Sequence, residues 1–136
     1  MIAYKESLKS EPKIGISKFE SLLKPLGLTS ATPEEIRKGF LEFSQVRNLI
    51  VHKNSNVDKA FQDMCPWIQT VLGGKLSVSQ EDFKFYSILV DWYYIELSMR
   101  INSRQESEPE KEYIEVQQML FERIIQSRSR WAENAE

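Results

Sequence analysis

A chain of 136 residues holds one hydrophobic core and is too short for two, so a single domain over 1–136 is expected. Its 41% hydrophobic and 28% charged residues argue against disorder. A formal net charge of −2 excludes the broadly basic surface of a protein that grips nucleic acid by charge alone, so any RNA contact must be local.

The single cysteine, Cys65, rules out an internal disulfide and a cysteine-based metal site, which fits a reducing compartment. The opening MIAYKESLKSEPK lacks the apolar stretch of a signal peptide. No run approaches the ~18 apolar residues that cross a bilayer. A cytoplasmic protein without membrane contact is expected.

Five glycines and five prolines are too few for an all-β chain, and the segments between them carry helical periodicity. After an opening segment ending at EPKIG, Ser17 is placed to cap a short amphipathic helix, KFESLLK, closed by Pro25 and Gly27. TSATPEE reads as a helix start, with Thr32 as N-cap, Pro33 first in the helix, and Glu34 and Glu35 in its first turn. That helix runs to about Lys53, where NSN breaks it. A short helix is predicted over 57–65, and PWIQTVL reads as one more before a Gly73-Gly74 turn. Ser79 caps a long helix with Glu81 and Asp82 at its start and Arg100 near its end. Its middle, FKFYSILVDWYYIELSM, is apolar around most of its circumference, as for a central helix or one pressed on a partner. A polar linker (SRQESEPE) leads to a last helix with a stripe at Tyr113, Val116, Leu120 and Ile124, then a basic end, SRSRW. The architecture predicted is an all-α bundle.

Residues 47 to 52, RNLIVH, stand out in this pattern. At 100° per residue, Ile36, Phe40, Phe43, Ile50 and Val51 share one sector of their helix, and Arg47 falls near its middle. Asn48 and His52, one turn apart, line a strip beside it. A guanidinium in a core must be paired, because an unpaired buried charge costs several kcal/mol. One partner is a carboxylate on the other long helix, Glu96 first and Asp91 second; Arg47 is then a structural ion pair and His52 a helix-end residue. The other reading is that Arg47, Asn48 and His52 face a site. Cleaving RNA through its own 2′-hydroxyl needs a base, an acid and a fixed cation for the phosphorane, and no metal. An unperturbed imidazole, titrating near ~6.5, suits proton transfer, and a guanidinium donates to two phosphate oxygens at once. The Asn48 amide can orient the imidazole or donate to the phosphate. One chain has one histidine; a two-fold dimer supplies a pair.

At these residues the sequence resembles the HEPN superfamily, whose ribonuclease members carry an arginine, four to six residues, then a histidine, often with a polar residue after the arginine. Arg47, Asn48 and His52 match with four residues between arginine and histidine. Phe43 ahead of the motif, Leu49-Ile50-Val51 inside it and NSNVDKAF after it also look similar. The likeness covers about 33–102 and is nearest to HEPN domains of toxin–antitoxin and phage-defence (antiviral) systems. It implies a helical bundle that dimerises with the motif helices apposed. It also implies metal-independent endoribonuclease activity at the composite site, with His52 moving protons, Arg47 stabilising phosphate charge and Asn48 positioning one or the other. No cofactor and no metal are implied; the partners implied are an RNA substrate, a second copy, and an antitoxin or partner domain. Members silenced by a nucleotidyltransferase antitoxin carry a tyrosine two residues after the histidine, where this chain has Asn54. The competing expectation is a non-catalytic HEPN-like module for dimerisation or for binding a nucleotide or partner. The abrupt N-terminus, without a clear first long helix, also suits a domain of a larger protein.

The remaining candidates carry less. Gly73-Gly74 lacks the lysine and hydroxyl of a phosphate-binding loop. One histidine, one cysteine and no carboxylate cluster at ligand spacing argue against a metal. Cys65 reads as a small core residue. Phe83, Phe85, Tyr86, Trp92, Tyr93 and Tyr94 are able to stack bases, but at helical spacing they read as core or dimer interface. Lys53, Lys59, Arg123, Arg128 and Arg130 either guide RNA or are solvated surface.

Overall fold

The structure, a computed structural model, describes residues 15–104 and 110–127, of Arg104 the backbone only. Among them the chain forms five α-helices: α1 (Ile16–Leu23), α2 (Glu34–His52), α3 (Lys59–Met64), α4 (Gln80–Arg104) and α5 (Lys111–Ser127). A single 3-10 turn, Lys24–Leu26, closes α1. The β structure among the described residues is one isolated antiparallel bridge, Asn56 with Lys75. The expected all-α architecture is what is observed. No described helix is long and apolar enough to cross a membrane.

Local chemistry sets most helix ends. Ser79 and Asp82 form a reciprocal capping pair at the start of α4, each backbone N–H donating to the other's side chain at 3.1 Å. Asp58 caps α3 by accepting from the Phe61 N–H at 2.8 Å, which shortens the helix expected over 57–65. Two predicted caps do not form. α1 begins one residue before Ser17, because Gly15 takes a left-handed φ of 58° with its Cα hard against Leu41, where a Cβ would lie 3.1 Å from the Leu41 Cα. Pro33 takes the N-cap position of α2 without a side-chain bond, and the Thr32 hydroxyl donates instead to Glu20 at 3.1 Å. PWIQTVL is not helical: Pro66 follows α3 directly, and the chain turns there, with the Ile68 N–H on the Cys65 carbonyl at 3.1 Å. The Gly73 turn forms with φ 78°. The opening EPKI, Pro109 and the basic end from Arg128 lie outside the described residues.

α4 is the centre of the bundle. Phe85, Tyr86, Ile88, Leu89, Trp92 and Tyr93 are buried, α5 packs along it through Leu120 and Ile124, and α2 crosses it. Of the stripe predicted on α5, Leu120 and Ile124 are buried, Val116 is half-buried and Tyr113 is exposed. The crossing of α2 on α4 is close: a Cβ built on Gly39 would stand 2.7 Å from a Leu89 methyl carbon. At the far end of α4, the Arg100 guanidinium ties that helix to α1 and to the connection after it. It donates to Glu20 of α1 at 2.9 Å, to the Leu28 carbonyl at 3.2 Å and to Glu96 at 3.4 Å. Tyr93 donates to the same Glu20 at 2.8 Å, and Gln117 of α5 donates to Glu96 at 2.8 Å. Burial first, then the bond to Glu20, holds the Tyr93 phenol well above its ordinary pKa.

Gly39→Ala tests the crossing. An alanine gains about 1 kcal/mol in helix propensity, but overpacking a filled core costs about 1–3 kcal/mol. With Leu89 buried, overpacking wins. Urea unfolding is expected to show a net loss for Gly39→Ala, and a loss for Gly39→Ala/Leu89→Ala smaller than the sum of the two single losses.

Candidate functional site

The last two turns of α2 carry Arg47, Asn48 and His52, and His52 is the final helical residue. The helix stops there because the backbone turns left-handed: Asn54 has φ 52° and Ser55 φ 64°. Asparagine tolerates that region better than most side chains. The N–H groups of Lys53 and Ser55 both return to the Leu49 carbonyl, at 3.0 and 2.8 Å. The following residues then pair with the 73–76 turn. Gly73 N–H donates to Val57 at 2.8 Å, Val57 to Gly74 at 2.9 Å, and Leu76 to Ser55 at 2.8 Å. The Lys75 ammonium donates to the Asn54 carbonyl at 2.7 Å.

Arg47, Asn48 and His52 are all exposed. The buried face of α2 is Ile36, Gly39, Glu42, Val46 and Leu49. That corrects the expected core sector: of its members Ile36 is buried, Phe40 is half-buried, and Phe43, Ile50 and Val51 are exposed. Arg47 does lie within that sector, whose later part, Phe43 to Val51, faces outward. Two features rotate the helix. Gly39 allows the close approach to Leu89. Glu42, fully buried, accepts from the Tyr86 hydroxyl at 2.7 Å and from the Trp67 indole at 2.9 Å. The ion pair considered for Arg47 is also absent: Glu96 is engaged by Arg100 and Gln117, and Asp91 is exposed. Among the described residues the side chains of Arg47, Asn48 and His52 make no hydrogen bond or ion pair.

Exposed apolar residues flank the motif on α2 and recur on the outward side of α4. The Phe43 ring meets Tyr86 at 5.0 Å between centroids, at the seam between α2 and α4. On the α2 side, Ile50 and Val51 continue from Phe43 at +7 and +8. On the α4 side, Phe83, Val90 and Tyr94 lie at −3, +4 and +8 from Tyr86, on its outward side. Phe83 is 67% exposed and Tyr94 72%. Of the aromatics singled out in the sequence, Phe85, Tyr86, Trp92 and Tyr93 are core, while these two are surface. At 100° per residue, Arg47 and His52 point about 140° apart around the helix, with Asn48 and His52 about 40° apart. One copy therefore does not aim its guanidinium and its imidazole at one point.

Elsewhere, a cavity of about 540 Å³ lies behind α2, lined by Glu42, Val46, Val57, Leu76, Asp82 and Tyr86 among others; Arg47, Asn48 and His52 do not line it. Cys65 is buried, and burial, then the nearby Glu42, pushes its thiol up to about 12. Lys53, Lys59 and Arg123 are exposed, with Lys59 paired to Asp63 at 3.1 Å; Arg128 and Arg130 lie outside the described residues. Among the described residues no group of three or more His, Cys, Asp or Glu side chains is placed to hold a metal ion. The Glu20–Tyr93–Arg100 cluster escaped the sequence reading, since its members are scattered over 80 positions without a local signal. Compared with family models, curated proteins and solved structures, the chain matches none.

Exposed side chains without partners contribute little to stability, so Arg47→Ala and His52→Ala are each expected to shift unfolding free energy by no more than about 0.5 kcal/mol; urea titration checks this. Cys65 gives a pH test. Its folded thiol stays neutral to about 12, while the unfolded thiol ionises above its ordinary value of 9.0. Stability is thus full below pH 9 and falls as pH climbs from there toward 12. Unfolding midpoints between pH 8 and 11 should fall less steeply in Cys65→Ala than in the wild type.

Proposed function

We propose that this chain is a HEPN-type, metal-independent endoribonuclease of a toxin or phage-defence system. In this reading it cuts single-stranded RNA at a composite site made by two copies. The observation that carries the reading is an exposed Arg47–Asn48–His52 set, unpartnered among the described residues and flanked on α2 by the exposed Phe43, Ile50 and Val51. A solvent-facing apolar sector of this kind is normally covered. A second copy is the occupant that also completes the chemistry. Acid and base catalysis of 2′-hydroxyl attack calls for two proton-transfer groups, and each chain carries one histidine. With guanidinium and imidazole about 140° apart on one helix, apposed helices let each arginine work beside its partner's histidine. His52 then moves the proton, Arg47 holds the phosphate oxygens, and Asn48, next to His52 around the helix, orients the imidazole. The availability of Arg47, rather than a bond to Glu96, favours this over a structural role for the motif.

The test is cleavage of single-stranded RNA in excess EDTA. The wild type is expected to leave 2′,3′-cyclic phosphate ends, and His52→Ala or Arg47→Ala to lose activity by at least about 10²-fold. Ile50→Glu is expected to yield monomers in sedimentation and to lose cleavage with them. Full activity of His52→Ala would sink the assignment. Binding of RNA or a nucleotide without cleavage by any form would leave the non-catalytic module in its place. In cells, growth arrest by the wild type and not by His52→Ala is the expected toxin phenotype.

A further inference from the structure

A general base gains from being held within fractions of an ångström of its proton, yet His52 stands on the last residue of a helix, where ends fray. No described side chain bonds its imidazole. Its position is therefore set by the backbone that follows. That backbone is unusual, because two successive non-glycine residues, Asn54 and Ser55, are left-handed. Such residues return to ordinary conformations unless neighbouring contacts hold them.

Two sets of contacts hold them: the Ser55 N–H on the Leu49 carbonyl and the Asn56 N–H on the Lys53 carbonyl at the end of α2 itself, and bonds from the 73–76 turn. The 73–76 turn lies about twenty residues further on, yet it bonds to Ser55 and Val57 through three backbone hydrogen bonds and to Asn54 through Lys75. Three of these bonds involve backbone alone and serve any sequence that makes the turn. The fourth depends on one side chain: the Lys75 ammonium reaches the Asn54 carbonyl at 2.7 Å, two residues beyond His52. Lys75 is exposed, and a surface lysine is ordinarily left to water.

We propose that Lys75, acting through the Asn54 carbonyl, is a positioning residue for His52: it closes the left-handed turn that fixes the end of α2 and hence the direction of the imidazole. This rests on the nuclease reading above. It assigns the 66–79 connection a task that packing alone does not require, since the side chain concerned lies at the surface.

Because His52 is the chain's single histidine, its imidazole Hε1 signal in a ¹H–¹³C spectrum needs no assignment by mutation. The comparison is between wild type, Lys75→Met and Lys75→Arg. The wild type should give one narrow signal. Lys75→Met should broaden or split it while core signals from Phe85 and Leu89 stay in place, and Lys75→Arg, which keeps a donor, should restore it. In RNA cleavage, Lys75→Met should lower kcat by about 10- to 100-fold with KM within twofold, and Lys75→Arg should recover most of the loss. An unchanged His52 signal in Lys75→Met overturns the proposal. So does a loss confined to KM, which would make Lys75 a substrate contact instead. If the wild type does not cleave RNA, the nuclease reading falls, and the His52 signal still decides whether Lys75 positions it.

Discussion

The close crossing of α2 on α4 is the constraint from which the surface of this protein follows. A Cβ added at Gly39 would stand only 2.7 Å from a Leu89 methyl carbon, so no larger residue fits without displacement. Helices that approach so nearly have little freedom to rotate about their own axes. Gly39 must point at α4, which puts Glu42, Val46 and Leu49 inward over the next three turns. Phe43 and Ile50 sit at the edge of that inward face, Arg47 and Val51 lie about 80° and 120° round from Gly39, and all four are exposed.

Two polar anchors, Glu42 fully buried and Arg100 half-buried, keep that rotation from slipping. Glu42, held by Tyr86 and Trp67, locks α2 to α4 and to the segment after α3. Arg100, held by Glu20, Glu96 and the Leu28 carbonyl, locks α1 and its connection to the far end of α4. Burial alone would lower the Arg100 pKa, and Glu20, Tyr93 and Glu96 more than reverse that. Neither anchor is an efficient source of stability, since desolvation offsets most of the attraction in a buried pair. Removing one partner, however, costs about 3–5 kcal/mol by stranding the other. Such groups act on uniqueness: a rotated α2 would leave the Glu42 carboxylate in apolar surroundings with its donors out of reach. Specificity of packing thus becomes specificity of what is displayed.

How much of this was legible follows from how far apart the causes lie. The start of α4 could be read directly, since Ser79 and Asp82 cap each other three residues apart. The end of α2 at NSN could be read for the same reason. The rotation of α2 could not. Counting apolar residues favours Phe40, Phe43, Ile50 and Val51, and gives no weight to a glycine or a glutamate that together choose the other face. The Arg100 cluster, drawn from positions 20, 28, 93, 96, 100 and 117, has no local pattern to find. PWIQTVL failed for a smaller reason: an apolar run of seven residues is equally a helix or a packed turn, and Pro66 with Gly73 decides for the turn. The motif residues themselves are visible as oddities in an apolar stretch, and of the two explanations for the oddity the structure inverts one, the arginine paired inside a core. Arg47 is tolerated there because that stretch is surface.

That inversion bears on function. An arginine inside a core must be answered by its own chain, so Arg47 bonded to Glu96 would have been spent on the fold. An arginine in an exposed apolar face is costly only when something covers it, and the cover must then supply an acceptor. A second copy laid across the α2–α4 seam would bury Phe43, Ile50, Phe83 and Tyr94, a gain of about 25 cal/mol for each Å² of apolar surface removed from water. It would also bring Arg47 out of water unless the interface left a gap around it. Phosphate fits such a gap, being the ligand whose charge and geometry a guanidinium answers with two parallel bonds. The same apolar cover that would drive association would raise the strength of a guanidinium–phosphate contact by lowering the dielectric around it. In the proposed dimer, assembly and anion binding would be linked through one side chain, which is the coupling a composite site requires.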